Sequence, residues 1–301
     1  MERGSWRTLV IKELEHQYSP SHWSPRMDKD AVIEAHVRVL TEGTNKSRSM
    51  TQSVLNIQYG DRDSEKMDVY LPDGEPKGCL LLVYIHGGYW QFLSKDESGF
   101  MVPPFVSHGI SVMVMDYDIA PRGNMDRIVS QVRRSIAVAL TQYPQITEVY
   151  LCGHSAGAQL AAMALCTDWS EYGVTPNING AILVSGVYDL HPITHTYVND
   201  AIKMSEEVAA RNSPIQCLTQ IKSHAEACHI LIVVAEHDSP EFHRQSQDFF
   251  QSLKELGLCV TYKHVERADH FDVIEKLTQE DYVLTQLILT MILKKCCKSE
   301  P

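Results

Sequence analysis

The sequence has little of what marks nucleic-acid-binding and membrane-spanning proteins. It carries 27 Lys and Arg against 38 Asp and Glu, a formal net charge of −11. Nucleic acid and anionic membrane surfaces are bound by clustered positive charge, so this balance argues against both as partners. The longest apolar run near the carboxyl end, residues 287–293, is too short for a bilayer, which needs about 20 residues.

Metal and cofactor motifs are also missing. The 8 cysteines include no C-x-x-C pair, so zinc knuckles and thioredoxin-like sites have no support. His191 and His195 have the spacing of metal ligands on a helix face, but no H-E-x-x-H motif contains them, and we predict no metal. Neither G-x-G-x-x-G nor a P-loop occurs, so we predict no cofactor. Residues 1–6 lack a signal peptide's apolar core, and we expect a soluble cytosolic protein.

What the sequence does contain is a regular alternation of apolar runs and helical patterns. We predict strands at 53–59, 66–71, 79–85, 110–115, 149–152, 181–184, 230–235 and 260–265. Helical patterns cover 28–40, 103–108, 125–140, 159–165, 242–256 and 282–293. This order predicts an α/β fold whose mostly parallel, eight-stranded sheet carries helices on both faces.

Two stretches depart from the alternation. Residues 1–50 are polar and interrupted by prolines, and we interpret them as an N-terminal arm or partial lid before a catalytic domain over 51–301. The connection at about 186–228 is far longer than the usual 4–6 residues, so we predict a lid insertion there, with a helical piece near 201–210.

The strongest chemical motif is Gly153-His154-Ser155-Ala156-Gly157, between a predicted strand and a small-residue helix. A sharp strand-to-helix turn brings backbones close together, and only small residues fit there. Such a turn exposes the serine hydroxyl at the edge of the sheet, beside a helix amino terminus that favours negative charge. We predict that Ser155 is a nucleophile.

A second motif, His86-Gly87-Gly88-Tyr89-Trp90, ends an earlier buried strand. Paired glycines let backbone amides point at a carbonyl oxygen that becomes an oxyanion. We predict that Gly87, Gly88 and the amide of Ala156 form an oxyanion hole.

A serine nucleophile needs a general base and an acid that orients it. Asp238 follows a late strand and is our acid, with Glu236 as the competitor. His270 follows the last strand and is our base, in the order Ser, Asp, His. Two other histidines fit less well: His237 is too near Asp238, and His264 lies within a strand.

These motifs resemble the α/β hydrolases, and within them the kynurenine formamidases (arylformamidases), relatives of the hormone-sensitive-lipase-like esterases. The resemblance covers nearly the whole chain and includes 17–21, 115–121 and the 185–190 loop. Many of those esterases have a third glycine where Tyr89 stands, followed here by Trp90. We therefore assign Tyr89 and Trp90 to substrate binding, since aromatic rings stack on aromatic ligands, and the resemblance adds Tyr188.

The resemblance implies hydrolysis of N-formyl-L-kynurenine to L-kynurenine and formate, a step of tryptophan catabolism, by a serine hydrolase without a cofactor. A general small-acyl aryl carboxylesterase is the alternative enzyme. A catalytically inactive interaction module is the alternative of another class. The resemblance also implies a small-molecule substrate, leaves a homodimer open, and adds the nucleus to the cytosol as a location.

Overall fold

A single eight-stranded sheet forms the centre of the chain, of which the computed structural model describes residues 5–74 and 79–296. In chain order the strands are β1 Gln52–Gln58, β2 Lys66–Leu71, β3 Cys79–Ile85, β4 Ile110–Met115, β5 Ile146–His154, β6 Ile178–Val184, β7 His229–Ala235 and β8 Val260–Val265. They are arranged β1-β2-β4-β3-β5-β6-β7-β8. Only β1–β2 and β2–β4 are antiparallel pairs. The predicted fold class is confirmed.

Helices cover both faces of this sheet. They are α1 Ile11–Gln17, α2 Lys29–Met50, α3 Val102–Val106, α4 Met125–Gln142, α5 Ala156–Leu165, α6 Asn199–Ile202, α7 Glu206–Arg211, α8 Leu218–His224, α9 Pro240–Glu255, α10 Asp272–Glu275 and α11 Val283–Cys296. Short 3₁₀ helices lie at Ser5–Thr8, Pro20–Trp23, Lys95–Glu97, Gly99–Met101, Trp169–Tyr172, Pro192–His195, Pro214–Gln216 and Lys276–Thr278. Two buried clusters, one per face, form the core. No helix among these described residues could cross a membrane.

The parallel strands bring the predicted motifs to one edge of the sheet. In register, Ile85 at the end of β3 pairs with Gly153 on β5, and His154 pairs with Val184 on β6. Asp238 lies three residues beyond the end of β7. Side chains that follow these strands are therefore neighbours at the carboxyl edge, where α/β sheets bind ligands.

The arm contains a longer helix than the sequence pattern predicts. We expect a helix over 28–40, but α2 continues to Met50. Its second half is buried through Thr44 and Ser47, small polar residues that an apolar pattern does not detect. At Gly43 an added Cβ would lie 2.7 Å from Phe100 Cβ, so the glycine lets α2 pack closely on the domain.

The insertion at 186–228 also contains shorter helices than predicted. The single helical piece expected near 201–210 is divided into α6 and α7. Lys203 separates them with a left-handed φ of 53°, a conformation that ends a helix. The insertion thus consists of short helical turns.

Candidate active site

Ser155 stands on a sharp turn between β5 and α5, with φ 56° and ψ −121°. The flanking glycines make the turn sterically feasible. A Cβ on Gly153 would lie 2.1 Å from the Gly157 carbonyl oxygen, and one on Gly157 would lie 2.0 Å from that of Ile85. A non-glycine residue at positive φ is strained and persists where the surrounding structure enforces it, commonly at functional sites. The local geometry is that of a nucleophile elbow.

His270 and Asp238 meet beside this elbow. His270 Nδ1 lies 2.6 Å from Asp238 Oδ1, and both residues are buried. The other carboxylate oxygen of Asp238 accepts hydrogen bonds from Ser185 Oγ (2.6 Å) and the amide of Ala235 (2.8 Å). Ser185 thus helps to orient the Asp238 carboxylate. Sequence reasoning assigned it no role, although it lies in the 185–190 loop.

The competing residues lie elsewhere. Glu236 is exposed, and its carboxylate accepts the amide of Arg267. His264 is exposed on β8, with its ring 5.7 Å from that of His243. Of the two carboxylates weighed for the acid, the one in contact with His270 is that of Asp238.

The glycine loop approaches the nucleophile closely. A Cβ on Gly87 would lie 3.1 Å from Ser155 Cβ, and Gly88 has a φ of 92° that disfavours other residues. Ala156 begins α5, so its amide is one of the helix-terminal donors without an intrahelical acceptor. This arrangement can supply amides to an oxyanion next to Ser155.

A buried ring pair holds the start of this loop. His86 stacks on Tyr117 with ring centroids 4.2 Å apart, and the Tyr117 hydroxyl donates to the His86 carbonyl oxygen at 2.9 Å. Burial lowers the pKa of His86 to about 4. Its imidazole is therefore neutral at pH 7, and it serves as part of the scaffold.

Ser155 and His270 line a cavity of about 330 Å³ with mainly apolar walls. The arm, the glycine loop and the insertion all contribute to it. The other lining residues are Ser19, Pro20, Ser21, Ile33, His36, Val37, Gly88, Tyr89, Gln91, Phe92, Leu93, His154, Tyr197, Val198 and Phe271. The arm therefore forms one wall of the candidate substrate site. Sequence reasoning proposed a partial lid there without identifying its residues.

The three predicted substrate-binding aromatics have different positions. Tyr89 lines the cavity, and its hydroxyl donates to the Tyr18 carbonyl oxygen at 2.9 Å. Trp90 is fully buried behind the loop, and its indole N–H donates to Gln159 Oε1 at 3.0 Å. Tyr188 is buried against Phe249 and borders a separate cavity of about 140 Å³. The structure thus places Trp90 and Tyr188 in packing contacts outside the described lining of the larger cavity, and their assignment to substrate binding stays a prediction.

The two histidines with ligand-like spacing face different carboxylates. His191 Nδ1 lies 2.8 Å from Asp189, whereas His195 Nε2 lies 3.5 Å from Glu206. Within residues 5–74 and 79–296, no cluster of three or more His, Cys, Asp or Glu side chains could hold a metal ion.

Comparison with known proteins finds an α/β hydrolase family model and two kynurenine formamidases that are more than 50% identical to this chain. Residues 82–272 match a family model described as the alpha/beta hydrolase fold. Kynurenine formamidase of Danio rerio is 53% identical, over 96% of this chain and 99% of that one. Kynurenine formamidase of Salmo salar is 54% identical, over 95% and 98%. The structure of a thioesterase candidate from Silicibacter sp. superposes with a TM-score of 0.79 at 24% identity, covering 92% of this chain and 98% of the other.

Proposed function

Because the chain belongs to the kynurenine formamidase family of α/β hydrolases, we propose that it hydrolyses N-formyl-L-kynurenine to L-kynurenine and formate. The identity of more than half of all residues along nearly the full chain carries this proposal. The contact between His270 and Asp238, beside a cavity that also contains Ser155, supports it independently.

The reaction proceeds through a formyl-enzyme. Ser155 Oγ attacks the formyl carbon while His270 Nε2 takes its proton, and Asp238 stabilises the resulting imidazolium. The carbon–nitrogen bond then breaks, and His270 gives the proton to the departing aniline nitrogen. Water, activated by His270 in the same way, cleaves the serine ester and releases formate.

The amides of Gly87, Gly88 and Ala156 stabilise the oxyanion that forms in each step. Tyr89 supplies an aromatic face on the cavity wall, which suits an aryl leaving group. The cavity has no Asp, Glu, Lys or Arg among its described lining residues. Its binding energy therefore comes mainly from apolar contact with the aromatic part of the substrate.

The test is kcat/KM for N-formyl-L-kynurenine against a series of aryl esters with acetyl, butyryl and octanoyl groups. We expect efficient hydrolysis of the formamide and rates that fall as the acyl chain lengthens. A steric penalty of about 1.4 kcal/mol in the transition state already costs tenfold in rate. Hydrolysis of the aryl esters with no hydrolysis of N-formyl-L-kynurenine would contradict the proposed function and favour a carboxylesterase, of the small-acyl kind if the acetyl ester is cleaved fastest.

An inactive interaction module is tested separately with a fluorophosphonate probe. Such probes react with activated serines, so we expect labelling of the wild-type protein and none of Ser155→Ala.

We further propose a cytosolic and nuclear location and a homodimer without nucleic acid or membrane partners. Cell fractionation and the solution mass of the purified protein test these proposals.

A further inference from the structure

His270 is carried by a turn whose shape depends on the preceding side chain. Asp269 Oδ1 accepts the backbone amides of Phe271 (2.9 Å) and Asp272 (2.8 Å). In return, Asp272 Oδ1 accepts the amide of Asp269 at 2.7 Å. The Asp269 carboxylate therefore organises the backbone that follows the imidazole, and we expect its displacement to shift His270.

The arm holds this carboxylate from outside the catalytic domain. Arg26 Nε donates to Asp269 Oδ2 at 2.7 Å and Nη2 to Oδ1 at 3.2 Å, and Ser24 Oγ donates to Oδ2 at 2.5 Å. Arg26 Nη1 also donates to Glu275 Oε2 at 3.0 Å, at the end of α10. One guanidinium thus joins both ends of the His270 turn, with the planar fork geometry that makes such bonds strong and directional.

The junction sets one guanidinium against two carboxylates within a poorly hydrated site. The Asp269 side chain is 1% exposed and that of Arg26 is 28% exposed. Burial opposes ionisation of Asp269, but hydrogen bonds from Arg26 and Ser24 outweigh it and hold the pKa of Asp269 well below its usual range. Removing Arg26 would leave a buried carboxylate without its cation, and the turn would have to rearrange to hydrate it.

We propose that Arg26 is a positioning residue for His270: by holding Asp269 and Glu275 it fixes the turn that presents the imidazole to Ser155 and Asp238. This inference rests on the proposed function, because it assumes that His270 is the general base. It also gives the arm a second role besides forming a cavity wall.

A matched arginine in the same arm separates positioning from general anchoring. Arg48, near the end of α2, also bridges two carboxylates, Asp68 (2.8 Å) and Asp96 (2.5 Å), and its side chain is 23% exposed. Neither Arg48 nor its partners line the described active-site cavity. If Arg26 only fastened the arm, loss of either arginine should have the same effect.

The experiment compares Arg26→Ala with Arg48→Ala in the full chain. Measured quantities are kcat and KM on N-formyl-L-kynurenine, the rate of fluorophosphonate labelling at Ser155, and the thermal midpoint. We expect Arg26→Ala to lower kcat and the labelling rate about 10- to 100-fold, the range expected from a small misplacement of a catalytic group. Arg48→Ala should stay within twofold in both rates, even where its thermal midpoint falls. Added ethylguanidinium should restore part of kcat to Arg26→Ala but not change Arg48→Ala.

A folded Arg26→Ala protein with both rates within twofold of wild type would overturn the inference, as would equal losses in the two arginine variants. Should Arg26→Ala fail to fold, Arg26→Gln replaces it, since glutamine keeps part of the side-chain length but loses the charge and the fork, and rates within twofold of wild type there would be equally decisive. If the wild type does not hydrolyse N-formyl-L-kynurenine, the proposed function fails, while the labelling rates still test the role of Arg26.

Discussion

At the scale of single residues, the environment of Asp238 supports its proposed role as the acid. One oxygen contacts His270, and the other is held by Ser185 and the Ala235 amide. A carboxylate fixed in this way can bind only the Nδ1–H tautomer of His270, which leaves Nε2 free to accept a proton. The sequence order predicts Asp238 as the acid but does not point to Ser185, because a hydrogen bond across 53 residues leaves no local signal.

We predict that Asp238→Asn lowers kcat by about 10³- to 10⁴-fold in a folded protein, because the amide favours the wrong imidazole tautomer. The control is Glu236→Gln, which removes an exposed carboxylate bound only to a backbone amide. It should change kcat by no more than a few-fold. The reverse ranking of the two variants would transfer the acid role to Glu236.

We also predict that Ser155→Ala abolishes turnover without loss of the fold. Loss of one triad member costs on the order of 10⁴-fold or more in rate, and removal of a hydroxyl leaves little cavity. Ser135→Ala is the control, since Ser135 is a buried serine on α4 that bonds the Val132 carbonyl oxygen. Steady-state rates and thermal unfolding check both variants. More than about a tenth of wild-type activity in Ser155→Ala would contradict the nucleophile assignment.

At the scale of secondary-structure elements, the sequence predicts buried strands better than packed helices. The predicted bounds of β2, β3, β4 and β8 agree with the structure. For β3 and β4 the reason is that continuous apolar runs mark strands covered on both faces. The second half of α2 was not predictable in this way, since it packs through Gly43, Thr44 and Ser47. Helices pack closely where the contact face carries small side chains, and hydrophobic periodicity does not detect small residues.

Trp90 gives a prediction at this scale, because it joins the glycine loop to α5. Its indole donates to Gln159 Oε1, and Gln159 in turn donates to the Asn212 carbonyl oxygen in the insertion. We expect Trp90→Gly to lower the free energy of unfolding by about 3–5 kcal/mol or more, as large core truncations do.

The control is Tyr89→Phe, which removes one hydroxyl from the cavity wall and should cost no more than about 1.5 kcal/mol. Denaturant unfolding measures both variants. A stable Trp90→Gly protein with altered acyl-chain preference would support the assignment of Trp90 to substrate binding.

At the scale of the whole molecule, polar contacts far apart in sequence fasten the arm to the domain. Tyr18 donates to Glu241, Arg26 to Asp269, and Arg48 to Asp68, with separations of 223, 243 and 20 residues. Pairs of this kind have no spacing rule, so the sequence motifs predict the triad residues but not the cavity wall and the Arg26 junction beside them. Part of the site is therefore specified by tertiary contacts alone.

The pH dependence of the free energy of unfolding is a property of the whole molecule. One buried acid, Asp116, lowers this free energy when it is ionised. Burial raises the pKa of Asp116 to about 6 from an ordinary value of 3.8. The folded state then binds more protons than the unfolded state between these values, so this group lowers stability as pH rises from about 4 to about 6. Above that range the loss is complete and corresponds to at most about 3 kcal/mol.

We therefore predict that Asp116→Asn is more stable than wild type at pH 7–8 and that the difference shrinks towards pH 4. Asparagine keeps an oxygen that can accept the hydrogen bond from the Lys95 amide, as Asp116 Oδ1 does at 2.7 Å.

Asp126→Asn is a control with the opposite expected effect on stability, because the hydrogen bond with Arg211 lowers the pKa of Asp126. That variant should be less stable than wild type at pH 7, and the difference should diminish as Asp126 becomes protonated at low pH. Denaturant midpoints at pH 3, 4, 5, 6, 7 and 8 measure both variants. A gain for Asp116→Asn that stays the same at every pH would show that its carboxylate does not titrate in this range.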